Sequence, residues 1–147
     1  MKYIIISLLA ILVIIQFFRI DKSTPPTDPV KDFIGVEVPP AGVEKTLRTA
    51  CYDCHSHETE YPWYAEIAPV SWWLADHIEE GREHLNYSVW SDYSIKRKKH
   101  KIEEMIHEVE DGEMPLSSYT LSHSDANLSD QQKEELITWL KKLNSSL

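Results

Sequence analysis

The sequence predicts an all-α domain, on three observations. Apolar residues recur at three- and four-residue spacing along its later stretches, capping residues flank those stretches, and no segment alternates convincingly between apolar and polar with period two. Asp111-Gly112 follows a helical pattern and so reads as a helix end, not as a hairpin turn. The 147 residues suit one domain once a leader and a linker are set aside.

Residues 1–20 form the leader. The run from Tyr3 to Phe18 is largely apolar and lies between Lys2 and Arg19. As a helix it would span about 24 Å against a hydrocarbon core of ~30 Å. Counting Arg19 and Ile20, with the basic ends snorkelling, brings it near the lower limit for a transmembrane helix. The competing reading is a signal peptide, but no small-x-small cleavage site follows Phe18. Residues 1–20 are therefore expected to be a membrane anchor or a signal peptide. Either would export the rest of the chain across the membrane. Residues 21–40 hold five of the eight prolines and are expected to be an extended linker that holds the domain off the membrane.

Residues 41–147 make the domain. A first helix over 42–53 carries Leu47 and runs into a pair of cysteines. Pro69-Val70-Ser71 opens a second, expected to stop at Gly81. Ile95 to Asp111 reads as a third, with Ile102, Ile106 and Val109 on one face and Gly112 as terminator. Ser129 and Gln132 form a capping box for the last, which carries Leu136, Ile137, Leu140 and Leu143.

Beyond the leader, 13 basic side chains face 24 acidic ones, a formal charge of −11. Such a field repels phosphate backbones, which argues against nucleic-acid binding and favours a partner with a basic docking surface. The basic run Lys96-Arg97-Lys98-Lys99-His100-Lys101 is the exception, read here as a solvated helix face.

The chemistry lies at Cys51-Tyr52-Asp53-Cys54-His55. Two thiols three residues apart on a helical turn match the two vinyl groups of a haem, and the adjacent histidine falls under the iron as proximal ligand. A thioredoxin-like redox pair would need a neighbouring strand–helix pattern. A zinc site would need a second pair of ligands, and a disulfide across so short a span stabilises little. Met114, 59 residues after His55 in Gly112-Glu113-Met114-Pro115, is the expected distal ligand, with core packing as its other role. His77 and His123 are the alternative ligands. His84, His100 and His107 lie among polar residues and read as solvated. Trp63 and Trp72 are candidates for the pocket walls, and Arg82 for a propionate contact.

The chain resembles the haem-binding domain family of exported bacterial proteins with one c-type haem. The residues that carry the likeness are Ala50-Cys51-Tyr52-Asp53-Cys54-His55-Ser56, Tyr61-Pro62-Trp63-Tyr64 and Ile67-Ala68-Pro69-Val70-Ser71-Trp72. They continue through His77, Gly81-Arg82, Leu85-Asn86-Tyr87-Ser88, Trp90, Gly112-Glu113-Met114-Pro115-Leu116, Tyr119 and His123. Ser124 stands where members commonly have proline. The resemblance covers roughly residues 35–143 and implies a small, cytochrome c-like helical domain around one haem c. The expected role is electron transfer, with iron cycling between Fe(II) and Fe(III), and not enzymatic turnover. A haem-based gas sensor and a haem peroxidase are the rival readings.

Overall fold

A computed structural model describes residues 1–147, which form eight α-helices and three short 3₁₀ turns, with no strand. The helices are α1 (Lys2–Ile15), α2 (Phe33–Glu37), α3 (Ala41–Ala50), α4 (Tyr52–His55), α5 (Val70–His84), α6 (Ile95–Asp111), α7 (Ser117–Thr120) and α8 (Asp130–Ser146). The all-α expectation is met. Helix α6 packs along α8, α3 closes against α8, and α4 lies on α5.

The two long amphipathic helices begin and end where their caps place them. The Ser94 side chain accepts from the Arg97 amide at the start of α6, and Gly112 ends that helix at φ 77°. Ser129 and Gln132 close both halves of a capping box on α8. Their buried faces carry Ile102, Met105 and Val109 on α6, and Leu136 and Leu140 on α8. These residues join Val43, Leu47, Tyr52, Tyr87 and Trp90 in one core.

Three expectations are corrected. The first is the leader as a spanning helix. Helix α1 has 14 residues, about 21 Å of rise, and no helix is long and apolar enough to cross a membrane. Gln16 caps α1 and gives its side chain to the domain: its amide donates to the Ala68 carbonyl at 2.9 Å and accepts from the Ala68 amide at 3.0 Å.

The second correction concerns the linker, whose later half belongs to the core. Asp32 caps α2 by accepting from the Ile34 amide, and Phe33 is fully buried between Tyr87, Trp90 and Trp139. Prolines at 25, 26 and 29 leave the run from Lys31 to Val38 free to turn helical, and burial of Phe33 and Ile34 outweighs the cost of ordering it.

The third concerns Gly81, which lies inside α5 and does not end it. A Cβ at this position would come within 2.8 Å of the Cys54 carbonyl oxygen, so the glycine lets α4 and α5 approach closely.

Candidate functional site

The chain breaks its helix at Cys51 (φ −126°, ψ −40°) and resumes at once as α4, with the His55 amide bonded to the Cys51 carbonyl at 3.0 Å. This single turn brings Cys51, Cys54 and His55 to the lining of a cavity of about 420 Å³. A face of α5 (His77, Glu80, Gly81, His84) and a face of α6 (Lys101, Glu104, Met105, Glu108, Val109) line it as well. Leu85, Tyr87, Leu136 and Leu140 add apolar surface, and the segment Met114-Pro115-Leu116 completes the lining with Tyr119. Volume and lining are those of a site for a small organic group, apolar inside with polar groups at few points.

His55 is oriented by main chain. Its Nδ1 lies 2.8 Å from the Gly81 carbonyl and 3.1 Å from the Leu85 carbonyl. Both partners only accept, so Nδ1 carries the proton and Nε2 keeps its lone pair for a metal. Burial holds the imidazole pKa below its ordinary value, which favours the neutral, ligating form.

The two cysteines are not joined to each other. Burial pushes the Cys51 thiol up to about 12 and the Cys54 thiol up to about 11. Protonated thiols in an apolar wall are poor nucleophiles, the opposite of what a dithiol redox centre needs.

Met114 lines the same cavity as His55. Its segment is held by Tyr119, whose hydroxyl donates to the Asp53 carboxylate at 2.6 Å and so ties the methionine loop to the cysteine motif. His77 also lines the cavity, with Nδ1 bonded to the Trp73 carbonyl at 3.0 Å. His123 does not. It stacks on Tyr119 with ring centroids 4.2 Å apart and an interplanar angle of 14°, outside the lining residues.

The tryptophan and arginine candidates are corrected. Trp63 and Trp72 lie away from the cavity: Trp63 is exposed, and the Trp72 indole donates to the Phe18 carbonyl at 2.8 Å. Arg82 is also off the cavity. Its guanidinium donates to the Ser56 carbonyl and the Thr59 hydroxyl, each at 2.8 Å, and so fastens the loop that follows the motif. Apolar size alone cannot tell a pocket wall from an outer face, and a lone arginine does not announce its partner.

His84 is exposed, as the sequence reading expected, and it also borders the cavity, a role that reading missed. The signal was present: His77, Gly81 and His84 recur at helical spacing on one face of α5. On α6 the same holds for Lys101, Met105 and Glu108.

A helical domain with a largely apolar, partly open cavity that has two thiols and a neutral, oriented imidazole on its lining defines a protein built to hold a metal-bearing prosthetic group. The sequence model of the haem-binding domain matches residues 10–142, and the chain belongs to that family. It is a haem-binding protein. No curated protein and no solved structure matches the chain. The residues present fit a haem: Cys51 and Cys54 beside the cavity, His55 with a free Nε2, and apolar surface from α6 and α8.

Proposed function

We propose that the protein carries electrons outside a bacterial cytoplasmic membrane, on one haem joined covalently through Cys51 and Cys54. The observation that carries this reading is the cavity that gathers both cysteines, His55 and Met114. Bound haem supplies one-electron chemistry, its iron passing between Fe(II) and Fe(III).

The chain's own residues would do the rest. Gly81 and Leu85 hold the His55 ring by their carbonyls, so Nε2 would be presented to the iron in one fixed orientation. A thioether from Met114 as distal ligand would favour the reduced form and raise the potential. Apolar lining from Leu85, Val109, Leu136 and Leu140 limits water near the site. Thioether bonds would keep the cofactor from loss by dilution, which suits an exported protein. The acidic surface fits a redox partner with a basic docking face. The apolar α1 supports association with a membrane, although it is too short to cross one.

The test is an optical spectrum of the full chain made with cytochrome c maturation machinery, oxidised and reduced, with and without carbon monoxide. Haem that survives acid–acetone extraction and a low-spin ferrous spectrum insensitive to carbon monoxide are the expected results. The Met114→Ala variant is expected to bind carbon monoxide and to have a lower potential. An unchanged six-coordinate spectrum in that variant would remove Met114 as ligand. A carbon monoxide shift in the unmodified protein would favour a gas sensor, and haem lost on extraction would refute covalent attachment.

A further inference from the structure

Ten large apolar side chains between Tyr3 and Ile14 are exposed, and no residue of α1 is buried. Successive residues step round a helix by about 100°, so α1 is apolar on every side. A groove on a protein covers one side of such a helix, whereas a lipid phase covers all of them.

The end of α1 is not loose. Gln16 makes its paired hydrogen bonds with Ala68, and the Trp72 indole holds the Phe18 carbonyl. Arg19 and Lys22 both pair with Glu66, and Ile20 packs on the small core of Ala65, Leu74 and Ile78. Five residues after α1 are thereby fastened to the Trp63–Glu66 turn and to the start of α5. Around this junction the exposed large apolar residues continue, with Phe17 82% and Trp63 77% exposed, together with Phe18, Ile67, Val70 and Trp73.

We propose that this junction is a membrane-seating face. On this view α1 enters the lipid, while Phe17, Phe18, Trp63, Ile67, Val70 and Trp73 lie at the lipid–water boundary. The domain then rests on the bilayer in a fixed pose instead of hanging from a free tether. The inference rests on the membrane association proposed above and adds to it the pose and the residues that set it. Aromatic rings with one apolar and one polar edge favour that boundary, and Arg19 and Lys22 stand where basic residues flank an inserted segment. The Trp73 and His77 rings meet at a tilt of 46° with centroids 4.2 Å apart, and His77 lines the cavity, so the seated face would adjoin the cavity rim.

The test uses the full-length holoprotein bound to vesicles of phosphatidylcholine and phosphatidylethanolamine containing a diazirine-bearing phosphatidylcholine. After photolysis, labelled peptides are mapped by mass spectrometry. The proposal expects label both on residues 1–18 and on residues 63–73. Label on residues 1–18 alone overturns the seating and leaves membrane association standing. Failure to co-sediment with vesicles shows that membrane association itself is wrong. A Gln16→Ala, Glu66→Gln double variant with an unchanged haem spectrum is expected to keep label on 1–18 and lose at least half of it on 63–73. Undiminished label on 63–73 overturns the role given to the clamp.

Discussion

At Gly81 the usual effect of a helical glycine is reversed. Inside an exposed helix, glycine to alanine stabilises by about 1 kcal/mol. Here the added Cβ would meet the Cys54 carbonyl oxygen at 2.8 Å and the Cys54 Cβ at 3.3 Å. Backbone cannot swing away as a side-chain tip can, so Gly81→Ala is expected to destabilise the fold by about 1–3 kcal/mol. Guanidinium unfolding followed by circular dichroism measures this, and a gain in stability would show slack between α4 and α5. The same contact carries the Gly81 carbonyl to His55, so backbone packing and ligand orientation depend on one residue. The sequence displayed Gly81 but not its reason, because Cys54 lies 27 residues away and on another helix.

Among the elements, α6 and α8 were the most legible. Their caps and apolar periods are local properties, and their limits follow from Ser94, Gly112 and Ser129. Ser129→Ala removes the acceptor for the Gln132 amide and is expected to cost about 1 kcal/mol. Thermal unfolding would register this as a lowered midpoint, and no change would mean that packing of Leu136 and Leu140 alone fixes the start of α8. Helices α2 and α4 were hard to foresee for the opposite reason. Five and four residues are too few for a periodic pattern, and each is held by contacts with distant segments.

For the whole molecule, the decisive observation is that the core reaches back before residue 41. Phe33 is fully buried, with ring centroids 5.0 Å from Tyr87, 4.7 Å from Trp90 and 5.7 Å from Trp139. Phe33→Ala is expected to cost about 3–5 kcal/mol. In a free linker the same change would stay within about 0.5 kcal/mol. Urea denaturation separates the two outcomes directly. Tyr87 also lines the cavity, so a loosened Phe33 is expected to disturb the haem environment through that ring.

The sequence by itself determined the helical class, the bounds of α6, the start of α8 and the motif from Cys51 to His55. Each of these is written in short-range order: a period, a cap, a spacing of two thiols. Which residues face the cofactor was decided by tertiary structure. His77 and His84 border the cavity while His123, Trp63 and Trp72 do not, although all five are equally plain in the sequence. A helical period tells which side of a helix is covered, but not which neighbour covers it. That choice is made by contacts between segments far apart in the chain, as when Gln16 meets Ala68 and Phe33 meets Trp139.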